Sequence, residues 1–287
     1  MPVSTVRVDQ IANAGRGVIA SRRFTVGRIL FSENPIGNKC FTAKSWREWF
    51  SELTEQDKEV VQAFVDNSSE DGTPTVSGKL LTNAVPLANG TLGVFATACL
   101  INHSCCPNAA LAWDGDNNQL IVVAQKKIKR GEEVTIDYLT DSFRPTDARL
   151  KELLTRWRFK CTCPKCKTPD NKSDARLTYL SKKCDEEWRH WGLEAFDEVL
   201  EKMTKEKPLV VVAAWYQRAF IVARDTNKND AARKYGQLAC EAYRRGFGNT
   251  QAICNNMFLA FAKFKDNTKD VLPRTTARKV GKEKKKR

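Results

Sequence analysis

The stretch INHSCCPNAA, residues 101–110, puts one of only two histidines in the chain next to two of its ten cysteines. Further along, Cys161-Thr-Cys163-Pro-Lys-Cys166 offers three thiols within six residues. Such density serves little purpose in a reduced protein except to hold a soft metal ion. A structural Zn²⁺ takes four ligands in a closed tetrahedron, so one ligand is missing from this local set. The fourth must come from a distant Cys or His, and the turn carrying Cys105 and Cys106 is the richest source. Cys40, Cys99, Cys184, Cys240 and Cys254 stand alone in apolar surroundings and read as core filler.

With 287 residues and 41% hydrophobic composition, the chain can bury a core and divides into two domains. No apolar run approaches the roughly 18 residues needed to span a bilayer, and the first residues have no apolar stretch behind a charged start. The expectation is a soluble intracellular monomer, in the nucleus, the cytoplasm or both. Half of the formal charge of +14 lies in RTTARKVGKEKKKR, residues 274–287. That segment cannot bury an apolar face and reads as the core of a disordered basic tail over 271–287, an import signal or a contact for DNA or a nucleosome.

The opening VRVDQIANAGRGVIASRRFTVGRILF alternates apolar and polar residues around Gly15, Gly17 and Gly27, which predicts short strands with tight turns. Apolar residues at helical spacing over 45–66 predict one or two amphipathic helices. The segment 92–101 is apolar enough to be a buried helix or strand. LAWDGDNNQLIVVA predicts a hairpin around DGDNN, and Arg130-Gly131 turns into a third strand over 133–138. Thr146-Asp-Ala starts a helix ending near Trp157. Beyond Pro169, helical periodicity over 175–204, 209–226, 229–246 and 249–265 predicts an all-α domain, with a tetratricopeptide-like hint in ARKYGQLACEAYRRGFG.

In order, Asn102-His-Ser-Cys-Cys-Pro-Asn108, Gly131-Glu-Glu-Val-Thr-Ile-Asp-Tyr138 and the CxCxxC at 161–166 resemble the signature segments of SET-domain protein lysine methyltransferases. The branch is similar to the SET and MYND (SMYD-like) group, with Pro145-Thr-Asp-Ala-Arg149 ahead of the last SET helix. Between Pro35 and Val94 the only Cys or His is Cys40, so no MYND zinc finger is expected. The resemblance implies an α+β fold: a SET-type β domain with a pseudo-knot and a post-SET zinc segment over 1–170, a helical insert at 42–80, and an all-α domain over 171–270.

It also implies methyl transfer from S-adenosylmethionine to a lysine of a histone or other protein. In the family pattern Asn102 and His103 face the adenosine, while Cys105 completes a zinc site with Cys161, Cys163 and Cys166. Tyr138 matches the tyrosine that orients the amine, and Phe159 the aromatic residue on the cofactor. Arg16 and Gly17 fall on the loop approaching the methionine end, and Asn83 matches a cofactor-contacting asparagine. Trp157 stands where relatives carry a second channel tyrosine; an indole is larger and can only donate. Trp113 is a second candidate for the substrate channel. A non-catalytic SET scaffold on chromatin or nucleic acid is the alternative, favoured by Trp157 and the basic tail.

Overall fold

A computed structural model describes residues 4–68, 72–87, 90–139, 143–247 and 251–267, with side chains omitted for 251–256 and 266–267. The side chain of Cys254 and the basic tail therefore lie outside the described residues. The chain opens as a hairpin of β1 (Val6–Ile11) and β2 (Gly15–Ala20), paired from Val6↔Ala20 to Ile11↔Gly15. Asn13 and Gly15 take positive φ in its turn, which suits these two residue types. Next come β3 (Ile29–Glu33) and three short helices, α1 (Trp46–Glu52), α2 (Glu55–Gln62) and α3 (Val76–Asn83).

Helix α3 has no counterpart in the sequence reading, because eight residues with an internal glycine give a weak periodic signal. Thr75 caps it by accepting the Gly78 N–H at 3.0 Å. Gly78 is needed because a β-carbon there would run into the Asp66 carboxylate. The segment 92–101 resolves as neither long helix nor long strand. It forms β5 (Leu92–Gly93), paired with β4 (Val85–Pro86), then a single 3-10 turn, then β6 (Asn102–His103).

The predicted hairpin is β7 (Ala109–Asp114) and β8 (Gln119–Ala124), and the predicted third strand is β9 (Glu133–Ile136). Two small sheets result, in the orders β1-β2-β9-β6 and β3-β8-β7. The β6–β9 pairing is parallel, with Asn102↔Thr135 and His103↔Ile136 in register. It brings the 101–110 turn against the end of the GEEVTIDY strand.

Helix α4 (Thr146–Trp157) leads into the one-turn α5 (Pro164–Lys167). The C-terminal region is all helix: α6 (Asn171–Cys184), α7 (Leu193–Glu206), α8 (Leu209–Asp225), α9 (Asn229–Phe247) and α10 (Gln251–Asn267). The periodic segment 175–204 is thus two helices. A 3-10 turn at Trp188–His190 separates them, and Gly192 takes an extended conformation ahead of α7.

Strand β8 explains how the two regions meet. Leu120, Val122 and Ala124 join the core built on Val18, Leu30, Phe95 and Ile128. The alternate residues Ile121 and Val123 point the other way, onto Ala112 and onto Phe247 of α9. Both faces of one strand are covered, so QLIVVA has no polar alternation. Polar contacts finish the joint: Gln125 Nε2 donates to the Gly246 carbonyl at 2.6 Å. Gly27, at positive φ, lets the Arg245 carbonyl approach to where a β-carbon would sit.

A second tie runs from the cysteine-rich segment. Glu206, with a side chain 3% exposed, accepts from Lys165 at 2.6 Å, Ser173 at 2.7 Å and Arg176 at 2.7 Å. Burial works to raise its pKa, but these three donors together hold it below the ordinary carboxylate value. Glu206→Gln is expected to cost about 1–3 kcal/mol at neutral pH, a modest figure because Lys165 and Arg176 retain some solvent. A depressed folded-state pKa gives stability that is present above the unfolded value and lost as pH falls through the folded one. Denaturant midpoints of wild type and variant should therefore differ at neutral pH and converge in acid.

Candidate active site and thiolate cluster

The parallel β6–β9 pair sets the site. Asn102 Nδ2 donates to the Arg16 carbonyl at 3.2 Å and to Glu133 Oε1 at 2.9 Å. Gly17 packs directly on this pair: a β-carbon there would lie 2.5 Å from Ile11 Cγ1 and 2.8 Å from Asn102 Nδ2. Gly17→Ala must therefore displace Asn102, since no heavy atoms approach that closely. The expected result is at least a 10-fold loss of S-adenosylmethionine affinity by calorimetry, about 1.4 kcal/mol. The Arg16 side chain points elsewhere, its guanidinium donating to the Ala63 carbonyl at 2.6 Å beyond α2. Its contribution to the site is its carbonyl.

Tyr138 follows β9 and is half-buried. Its hydroxyl donates to the Ile101 carbonyl at 2.6 Å, and burial raises its pKa, so the phenol stays protonated at neutral pH. Because the proton is spent on Ile101, the oxygen lone pairs remain able to accept. The ring lies 5.4 Å from Trp157 and 6.5 Å from Phe159, edge to face with the latter. Arg158, in the left-handed conformation at φ 57°, ends α4 and turns Phe159 back toward this cluster. A non-glycine there costs about 1 kcal/mol, which the packing of Phe159 offsets.

Tyr138 and Trp157 line a cavity of about 510 Å³. Its walls come from α3 and β4, including Leu80, Asn83 and Val85, and from Cys99 and Ile101 before β6. Asn83 is therefore at the cavity, with its amide donating to the Val65 and Lys79 carbonyls at 2.7 Å each. Trp113 is outside the lining: it packs edge-on against Phe95 at 6.3 Å, against the β-domain core. Leu111, on the same face of β7, does line the cavity. Cys99, read as filler, does accept the Phe95 N–H at 3.2 Å, with burial raising its thiol to about 12, yet it also forms cavity wall. Its place three residues before Asn102 was the available signal. Asp137 and Arg156 also line the cavity; Asp137 sits inside the 131–138 segment, where the resemblance assigns it no role, and no motif contains Arg156. Burial raises the Asp137 carboxyl above the ordinary carboxylate value.

Beside the cavity, the sulfurs of Cys105, Cys161, Cys163 and Cys166 all lie within 4.8 Å of one another. A tetrahedral zinc with Zn–S bonds of about 2.3 Å needs sulfurs about 3.8 Å apart, so the set fits with small adjustments. Cys105 and Cys166 are already 3.5 Å apart. Hydrogen bonding with Cys105 lowers Cys161 and Cys163, while Cys105 itself is driven up. Four thiols crowded this way share protons poorly, and a dication removes the conflict by replacing them. Cys106 is outside the four, its sulfur 3.5 Å from Ser104 Oγ. Arg149, only 2% exposed, has its pKa raised despite burial by the nearby Cys105 and Cys166, while its guanidinium donates to the Arg144 carbonyl at 2.6 Å and to Thr146 Oγ1 at 3.0 Å.

The resemblance expects His103 against the adenosine. The structure turns its imidazole, 0% exposed, toward Cys105 and the Tyr138 backbone, so an adenosine contact would fall to its backbone.

Residues 15–139 match the model of the SET domain. That segment of the chain is therefore similar to a SET domain. The chain is 30% identical over 179 residues to histone-lysine N-methyltransferase set5 of Schizosaccharomyces pombe, covering 61% of this chain and 56% of that protein. Protein-lysine N-trimethyltransferase SMYD5 of Mus musculus is 37% identical over 117 residues, 40% of this chain and 26% of that protein. Histone-lysine N-methyltransferase SMYD3 of Mus musculus is 33% identical over 101 residues, with coverages of 33% and 23%. The chain thus spans between about a quarter and just over half the length of these relatives. No helix among the described residues is long and apolar enough to cross a membrane.

Proposed function

We propose that the chain is an S-adenosylmethionine-dependent protein-lysine N-methyltransferase with a structural four-cysteine zinc site. The observation that carries this reading is the Tyr138–Trp157 wall of the cavity, with Asn102, Gly17 and Phe159 gathered next to it. When bound, S-adenosylmethionine supplies an electrophilic methyl group on a sulfonium. The chain's own residues must then deliver a neutral lysine amine in line with that methyl.

An ammonium near its ordinary pKa of about 10.4 has no free lone pair, and an aromatic, apolar wall disfavours the charged form. The Tyr138 oxygen, with its proton committed to Ile101, accepts an amine N–H and fixes the direction of the nitrogen lone pair. Trp157 closes the wall without adding an acceptor. Cys105, Cys161, Cys163 and Cys166 would hold Zn²⁺, which anchors the segment carrying Phe159.

The substrate is a protein lysine, on a histone or another protein. The basic segment outside the described residues supports contact with DNA, a nucleosome or another acidic surface, with a monomeric chain in the nucleus or cytoplasm. The experiment is formation of S-adenosylhomocysteine by the purified chain given S-adenosylmethionine and a soluble protein extract. Extract-dependent product supports the enzyme. Cofactor binding without product would move the reading to a non-catalytic scaffold whose channel Trp157 fills.

A further inference from the structure

We propose that His103 is a positioning residue, locked as the Nε2–H tautomer, that ties the thiolate cluster to the backbone of Tyr138. The inference rests on the zinc and methyl-transfer readings above. The Tyr138 N–H donates to His103 Nδ1 at 3.0 Å, so Nδ1 carries no proton. Asp137 Oδ1, at 3.7 Å from the same nitrogen, is beyond hydrogen-bond range and would pair with it only if the ring took a second proton. A neutral imidazole with an accepting Nδ1 has its proton on Nε2. That nitrogen lies 3.3 Å from Cys105 Sγ, which also lies 3.5 Å from Cys166 Sγ.

The ring has no freedom to choose otherwise. It is fully enclosed, with Tyr138 at 5.3 Å and Phe159 at 6.0 Å. Its backbone is fixed by the His103↔Ile136 pairing and by the Ser104 N–H donating to the Ile136 carbonyl at 2.9 Å. One imidazole therefore spans from a metal-ligand sulfur to the peptide that carries the amine-orienting phenol. An outer donor to a ligating atom sets both ligand geometry and metal affinity. Here the same ring also accepts the Tyr138 N–H, so movement at Cys105 reaches the peptide that carries the reacting group.

The test uses the full chain loaded with zinc, its zinc content measured first, and with ¹⁵N-labelled histidine. Two-bond ¹H–¹⁵N correlation reads the tautomer of each ring at neutral pH, and His190→Gln assigns the only other histidine. The expected spectrum has His103 protonated on Nε2 alone. His103→Asn, which can still accept from the Tyr138 N–H but cannot reach Cys105, should release zinc to a chelator about 10-fold faster. His103→Phe should in addition lower kcat more than it changes the KM for S-adenosylmethionine. A chain without zinc overturns the metal reading, and this inference with it. A zinc-loaded chain with His103 protonated on Nδ1, or on both nitrogens, overturns the inference alone.

Discussion

Tyr138→Phe is expected to slow methyl transfer by about 100-fold or more while leaving S-adenosylmethionine affinity within a few-fold of wild type. On the proposed reading the phenol oxygen would touch the nucleophile only as it moves on to the methyl group, so its loss should fall on the rate and not on cofactor binding. A misplacement of about 1 Å at the attacking atom already costs two orders of magnitude. The same substitution leaves the Ile101 carbonyl without its donor, which should cost about 1–3 kcal/mol of stability. Single-turnover rates, calorimetric affinity and a denaturation curve separate the three effects. A variant that keeps its rate would remove Tyr138 from the chemistry.

The second large effect concerns the metal. Wild-type protein should carry one zinc per chain, and Cys161→Ser should carry none. Cys161 is buried and belongs to the four-sulfur set, so a serine there leaves a three-ligand site. Binding of structural zinc by small peptides is worth about 10–16 kcal/mol, comparable with the whole stability of a domain. Even a conservative loss of about 3 kcal/mol lowers Tm by roughly 6–12 °C for a chain of this size. The damage should spread to catalysis, because the cysteine segment positions Phe159 and, through Glu206, braces the helical region. Scanning calorimetry with and without a strong chelator checks both statements.

Much of the fold is legible where local chemistry decides it. The hairpin at 109–124 is written in its DGDNN turn and β-branched flanks, and the C-terminal helices in their periodicity. What escapes is set by tertiary contacts. α3 exists because Asp66 sits under Gly78 and Thr75 caps the first turn, neither of which shows as periodicity. The break between α6 and α7 is likewise hidden, since apolar spacing continues across it while Gly192 ends the helical path.

The candidate site divides along the same line. Cys105, Cys161, Cys163 and Cys166 come together as spacing and resemblance expect, and Tyr138 meets Trp157. The direction in which a side chain points is the part a motif does not carry. Arg16 turns to Ala63 and Trp113 packs on Phe95, partners far along the chain, while His103 turns to Cys105 on its own turn. Arg156 reaches the cavity only through folding, and Asp137, although inside the 131–138 segment, carries no signal of its own direction.

The most direct test of the central claim is the chemical position of a transferred label. The purified zinc-loaded chain is given methyl-labelled S-adenosylmethionine and a soluble protein extract, and the labelled proteins are hydrolysed to amino acids. The account predicts label on the Nε nitrogen of lysine with wild type and its near-complete loss with Tyr138→Phe. Label on another amino acid, or the same lysine label from the Tyr138→Phe variant, would contradict it.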